Sequence, residues 1–259
     1  MASVYFIGAG PGAIDLLTVR ADRLIREADL ILYADSLVNP EISGLAKPGA
    51  RVVGSAKMSL GEIVEMMVEA AQAGEVVARV HSGDPSIYGA IREQMAALDD
   101  AGISYGVVPG VSSVFGAAAA LRTELTLPEV SQTVILCRVG DRTPVPEEQS
   151  LPALARHNAT LAIYLSTGMI DRVVAELLEG GYRPETPVAV VYRVSWPEEM
   201  VLRGTLADIG GAVRSAGIDR QALIMVGDAL RPVQAGEGAS KSLLYDAGFG
   251  HGYRSAASQ

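Results

Sequence analysis

The sequence holds one cysteine, Cys137, in 259 residues, which excludes an intrachain disulfide. Histidine is nearly as scarce. His81, His157 and His251 stand far apart, without the spacing of a ligand set, so no metal centre is expected. Of 21 cationic residues only Lys47, Lys57 and Lys241 are lysines, the rest being arginine. Arginine's planar fork suits carboxylate recognition, although a lineage preference for arginine explains the bias equally well. A net charge of −9 argues against nucleic acid as a partner, because phosphate binding wants a basic surface. No apolar run approaches the roughly 18 residues of a membrane span, and "MASVYFIG" lacks the basic start and cleavage site of a secretory signal. The expectation is a cytoplasmic chain with no membrane partner.

What is present is alternation. Apolar strand patterns and amphipathic helix patterns take turns over the first 120 or so residues, as in a mainly parallel sheet. Val4 to Ile7 opens. A helix with Ala21, Leu24, Ile25 and Ala28 inward follows an N-cap at Thr18, then a strand over 30–33. The next helix starts behind Ser59, with Glu62 in capping-box position, an apolar stripe of Leu60, Ile63, Val64, Met67 and Ala71, and a stop at Gly74. "EVVARV" and "ISYGVV" are further strands. "TELTLPEVSQ" breaks the rhythm. Beyond it, strands are expected over 133–137, 160–165, 188–192, 200–204 and 222–226, with helices near 150–156, 170–179 and 206–216. The fold class is α/β in two domains: 1–122 with a mainly parallel sheet and 123–231 with a mixed sheet. A linker and an extension without a core of its own follow over 232–259.

"FIGAGPGAIDLLT" poses the functional question. Gly8, Gly10 and Ala13 satisfy G-x-G-x-x-G/A after a strand, and Asp35 closes the next apolar run, so a nicotinamide-dependent oxidoreductase is one reading. That reading needs a helix to begin inside the loop, where backbone N–H groups meet a pyrophosphate. Pro11 has no N–H, and "AIDLL" separates the loop from the helix start at Thr18. A plain structural turn is the third alternative. Two more glycine loops, Ser82 to Gly89 and Pro109 to Ser113, also follow strands, and in an open parallel sheet such loops gather along one edge. Asp84 offers an acceptor for hydroxyls or a cation, and Ser112 and Ser113 offer hydroxyls at a helix start. The bland alternatives are an Asp84 that bonds its own turn and an N-cap in "PGVSS".

Taken in order, "YFIGAGPG", "SGDPSIYGA", "PGVSSVFGAAAAL", "RTPVPE" and "YRVSWPEE" resemble the tetrapyrrole methylases of cobalamin biosynthesis over nearly the whole chain. The first three blocks are shared across that family. "RTPVPE" and "SWPEE" point to its members that act on carbon 11 of precorrin-4 or of cobalt-precorrin-4. The resemblance implies a tetrapyrrole methylase fold with S-adenosylmethionine held in a cleft between the two domains, S-adenosylhomocysteine as product, and a homodimer. It places donor contacts on Pro11, Gly83, Asp84, Ile87, Ser112 and Ser113, and in the second domain on Leu165, Val194 and Gly227. Two departures stand out. Ala13 replaces the family's usual aspartate, and Cys137 and Asp141 stand where threonine and glycine are expected.

Methyl transfer from a sulfonium is an in-line displacement whose donor is already activated, so alignment and a dry site matter more than a catalytic triad. No general base is named by the sequence, although Tyr88, Asp84 and Glu198 are within the site blocks. A polycarboxylate acceptor is repelled at long range by a chain of charge −9, so local cations must recruit it. The candidates are Lys57, Arg122, Arg138, Arg142 and Arg193, each also readable as a surface charge or ion-pair partner, with Trp196 as a wall for the macrocycle or as loop packing. A carrier that binds a tetrapyrrole without turnover stays open beside the two enzyme readings.

Overall fold

The computed structural model describes residues 3–231 and 248–255. The expected linker and the end of the expected extension, 232–247 and 256–259, lie outside the described residues. The chain forms two compact units, Met1–Gly116 with Arg193–Glu199, and Ala117–Tyr192 with Met200–Gln259.

The first unit is a parallel sheet of β1 (Val4–Gly8), β2 (Leu30–Tyr33), β3 (Arg51–Gly54), β4 (Val77–His81) and β5 (Tyr105–Val108), in the order β3-β2-β4-β1-β5. Covered on both faces, such a sheet needs strands apolar throughout, and "VYFIG" and "LILY" supply them. On one face Ile7, Ile31, Ala78 and Val80 pack with Ala21, Leu24 and Ile25 of α1 (Val19–Glu27). On the other, Val4, Phe6, Leu30, Leu32 and Val77 meet Ile63 and Met67 of α2 (Leu60–Gln72) and Leu98 of α3 (Ile91–Asp100). Thr18 caps α1, its hydroxyl accepting from Ala21 N at 3.2 Å, and the Ser59–Glu62 capping box forms as spaced. The α2 stripe differs slightly from expectation: Leu60, at the first helical position, is exposed, and Ala70 rather than Ala71 is fully buried. Strand β3 escaped the pattern because its four residues lie at the sheet edge and are mostly exposed.

The second unit is a mixed sheet of β6 (Val134–Arg138), β7 (Thr160–Tyr164), β8 (Pro187–Tyr192), β9 (Met200–Thr205) and β10 (Ala222–Val226), in the order β6-β7-β10-β8-β9. Only the β6–β7 pair is parallel. Leu161, Ile163, Val188, Val190 and Ile224 pack against Leu151 of α5 (Leu151–Ala155), Val173 and Leu177 of α6 (Ile170–Glu179), and Ile209 and Val213 of α7 (Ile209–Ser215). α7 starts later than expected because Thr205 N and its hydroxyl both donate to Asp208 Oδ1, which turns the chain before the helix. α4 (Ser113–Leu121) links the units in sequence.

β4 carries two polar residues in its buried run. Arg79 and His81 are each 5% exposed. Burial pulls the Arg79 guanidinium down to about 10. Burial, reinforced by the Arg79 charge, pushes the His81 imidazole down to about 3, and its Nε2 has no hydrogen-bond partner among the described residues. An unfolded histidine takes up a proton near pH 6.5, whereas folded His81 stays neutral until about 3. The unfolded state therefore binds more protons across this window, and stability falls as the pH drops through it. Between pH 7 and pH 5 the loss from this residue is about 2 kcal/mol. In urea titrations at these two pH values His81→Asn should lose less stability than the parent; an equal loss would contradict a neutral buried imidazole.

Candidate functional site

The three glycine loops leave the carboxyl ends of β1, β4 and β5 and are joined there by backbone. Gly10 N donates to Gly83 O at 3.2 Å and Gly83 N to Gly10 O at 2.8 Å, while Ala9 N donates to His81 O at 2.7 Å. A Cβ at Gly8 would lie 2.6 Å from Gly110 Cα and from Gly83 O, and one at Gly110 would lie 2.1 Å from Gly83 O. Only glycine permits this approach. A Cβ at Gly83, whose φ is +63, would lie 3.6 Å from Ser112 Cα and 3.7 Å from Ser113 N, where α4 begins.

Asp84 ties two of these loops together. Its Oδ2 accepts from Gly110 N at 2.9 Å, and its Oδ1 accepts from Ser86 N at 2.9 Å and from the Ser86 hydroxyl. Burial works to raise its pKa, but the bonds from Ser86 and Gly110 outweigh it, and the carboxyl sits below the usual range. The turn-forming alternative for Asp84 thus holds, with a cross-loop bond that local sequence did not disclose. Ile87 N donates to Asp84 O at 3.2 Å, and the loop ends through Tyr88 (φ 55) and Ala90 (φ 49).

Residues 193–199 lie between β8 and β9 in sequence but belong to the first unit, where they cover the first loop. A Cβ at Gly12 would fall 2.1 Å from Trp196 Cδ1, so the indole lies directly against that glycine. Val194 and Pro11 both border Gly116, at 2.6 and 2.9 Å from a Cβ built there. Ala13 N donates to Ser195 Oγ at 2.9 Å, and Asn39 Nδ2 to Gly12 O at 3.1 Å. Where the family's aspartate is missing, the Ser195 hydroxyl thus partners the backbone. The Arg193 guanidinium sits 5.1 Å from the Trp196 ring centroid and 3.5 Å from Glu198.

The N–H groups of Ala9, Gly10 and Ala13 donate within the protein, Pro11 has none, and a 3-10 turn over Ile14–Leu16 precedes α1. α1, the helix that follows the loop in sequence, begins only at Val19 and so does not start inside it. Asp35 accepts from Ala56 N at 2.7 Å and packs on Gly54, so it is committed to the β3 edge. Both features that a nicotinamide site would require here, a helix starting in the loop and a free acid after the second strand, are missing.

The second unit holds the remaining residues. Leu165 is left-handed at φ 54 with 62% of its surface exposed. Buried Ser166 beside it fixes the turn, donating to Tyr164 O and accepting from Val139 N. Gly227 adopts φ +139 and donates to Pro187 O at 3.1 Å. Arg138 braces its own loop, donating to Thr143 O at 2.9 Å and Pro144 O at 3.0 Å. Its fork serves backbone rather than standing open. Arg142 and Arg122 are exposed, as is Lys57 in the first unit. Burial raises the Cys137 thiol to about 12, so it is inert.

Strain marks these loops. Of nine described non-glycine residues with positive φ, six are Tyr88, Ala90, Arg122, Leu165, Arg193 and Ser195, and such conformations persist where surrounding structure enforces them, often at functional sites. Ala90, Ser195 and Asn39 were not among the sequence candidates. Only the placement of Ser195 in "YRVSW" signalled it.

The family described as Tetrapyrrole (Corrin/Porphyrin) Methylases matches residues 3–210. A cobalt-precorrin-4 C(11)-methyltransferase of Methanocaldococcus jannaschii is 52% identical over 97% of this chain and 95% of its own length. A precorrin-4 C(11)-methyltransferase of Mycobacterium tuberculosis is 50% identical over 94% of this chain and 96% of its own. The X-ray structure of a cobalamin biosynthetic enzyme, cobalt precorrin-4 methyltransferase, superposes with a TM-score of 0.86 at 48% identity, covering 88% of this chain and 96% of that one.

The Gly12–Trp196 contact is directly testable, because Trp196 is the single tryptophan. Gly12→Ala should displace the indole, destabilise the protein by about 1–3 kcal/mol and shift its fluorescence emission to longer wavelength. Emission identical to the parent's would mean that the indole does not rest on Gly12.

Proposed function

This chain belongs to the tetrapyrrole (corrin/porphyrin) methylases, and from that membership we propose that it transfers a methyl group from S-adenosylmethionine to carbon 11 of precorrin-4. The observation that carries the reading beyond family membership is the junction of Gly8, Gly83 and Gly110, which leaves bare backbone at the carboxyl ends of parallel strands. That edge is where open α/β sheets bind small ligands. Pro11 and Val194 lie together over Gly116, and Ser112 Cα and Ser113 N lie within 3.7 Å of a Cβ built at Gly83, a setting that suits a donor with an apolar part and hydroxyls.

The sulfonium supplies a methyl that is already a good electrophile. The acceptor carbon provides the electron pair of the new C–C bond, the C–S bond breaks, and the sulfur keeps its pair as S-adenosylhomocysteine; the acceptor then releases a proton. The protein's part is positioning. Pro11, Gly83, Ile87, Ser112, Ser113 and Val194 are assigned to the donor, with Asp84 holding the second and third loops in register. Leu165 and Gly227 are assigned to it from the second unit. Asp84 is not assigned as the base, because both its oxygens already accept bonds and its carboxyl is held ionised.

For the acceptor's carboxylates the exposed cations Lys57, Arg122 and Arg142 are assigned, with Arg138 bracing the loop that carries Arg142. Trp196, stacked under the half-buried Arg193, offers a flat face for the macrocycle. Cobalt-precorrin-4 is the second reading of the acceptor, favoured by the relative at 52% identity and by the matched structure. No described helix is long and apolar enough to cross a membrane, and we place the enzyme in the cytoplasm as a homodimer.

Isothermal titration with S-adenosylhomocysteine tests the reading. Micromolar binding that weakens about tenfold in Asp84→Ala, roughly 1.4 kcal/mol, supports a donor on the second loop. A folded parent that binds nothing refutes it. Incubation with labelled donor and either precorrin-4 or its cobalt form, followed by NMR of the product, locates the new methyl. A label on another carbon would reject the carbon 11 assignment.

A further inference from the structure

The α2/α3 face of the first unit contains a buried cation with no acid beside it among the described residues. Arg79 is 5% exposed, yet no described carboxylate pairs with it. Its partners are Gln94 Oε1, accepting from Nε at 3.0 Å, and Leu32 O and Ser55 Oγ, accepting from Nη1 at 3.2 and 3.1 Å. Burying a charge without a counter-charge costs several kcal/mol, and an apolar residue of similar volume often gives a more stable core. Stability therefore does not account for an arginine at the centre of β4.

What the guanidinium does reach is two loops at the ligand edge. Ser55 opens the turn after β3, donates from its hydroxyl to Tyr33 O at 3.1 Å, and lies two residues before Lys57. Gln94 is itself 3% exposed, and its Nε2 donates to Ala90 O at 3.1 Å. Ala90 is the left-handed residue that ends the loop carrying Gly83, Asp84 and Ile87, and no side chain caps α3 there. A planar fork with five donors serves these separate acceptors at once, which an ammonium on a flexible stem does not.

We propose that Arg79 and Gln94 are positioning residues for methyl transfer, Arg79 holding the Lys57 turn through Ser55 and, through the Gln94 amide, the left-handed end of the donor loop. This rests on the proposed function in taking that loop as the donor's. Neither residue touches donor or acceptor; each acts through the loops it holds.

Gln94→Glu isolates the relay. The carboxylate still accepts from Arg79 and adds an opposite charge, but it has no N–H for Ala90 O. Hydrogen exchange of residues 82–90, the melting temperature, and the affinity for S-adenosylhomocysteine would be measured in parent and variant. The expected result is a melting temperature no lower than the parent's, faster exchange confined to 82–90, and donor-product affinity weakened about fivefold. Gln94→Met, which loses both bonds, should show the same loop exchange together with a lower melting temperature. Unchanged exchange in 82–90 would overturn the relay, and faster exchange with unchanged affinity would overturn its positioning role. A parent that fails to bind S-adenosylhomocysteine would instead remove the methyl-donor reading, while the exchange data would still report whether Gln94 holds the loop.

Discussion

The contact among Gly8, Gly83 and Gly110 is the constraint on which the site depends. Two of these backbones approach closer than any Cβ allows, and that closeness brings the ends of β1, β4 and β5 within hydrogen-bonding range of one another's loops. The Gly10–Gly83 bridge and the Asp84–Gly110 bond follow from it. A side chain at Gly8 or Gly110 would push the three loops apart, and both bonds would lengthen together. The glycines of the opening motif thus have a different physical task from those of a dinucleotide loop. They admit neighbouring backbone, not a phosphate.

Local signals were legible and distant ones were not. Thr18, the Ser59–Glu62 box and the Gly74 stop each depend on neighbours within a few residues, and each formed as its spacing implied. The loops were also recognisable, because glycine and proline after an apolar run leave few alternatives. Ser195 and Ala13, by contrast, are 182 positions apart, and nothing near either residue announces the other. The same holds for Trp196 against Gly12 and for the return of residues 193–199 to the first unit. Arg79 and His81 were hidden for another reason: a polar residue in a strand pattern ordinarily marks an exposed face, and here the strand is central and covered on both sides.

The preference for arginine over lysine acquires a structural meaning beyond lineage. Arg138, Arg172 and Arg203 donate to the backbone carbonyls of Thr143, Gly140 and Leu121. Carbonyls at loops and helix ends lack ladder partners, and a directional fork satisfies them while its stem packs along apolar surface. Several of the surface ion pairs, such as Arg26–Asp22 and Arg231–Asp228, are largely solvated and contribute little. The cations that matter to the architecture are those that hold main chain.

The strand order of the first sheet has a consequence for how the protein is made. β1, translated first, lies between β4 and β5, pairing Val4 with both Val77 and Tyr105. Nothing made before β4 can satisfy its edges. The first strand therefore has no partner until β4 has been made and keeps one edge open until β5 follows, whereas β2 and β3 can pair sooner. Parallel sheets of this kind fold slowly and expose sticky edges meanwhile. Until "YGVV" has followed "VYFIG" out of the ribosome, β1 keeps an edge without its native partner.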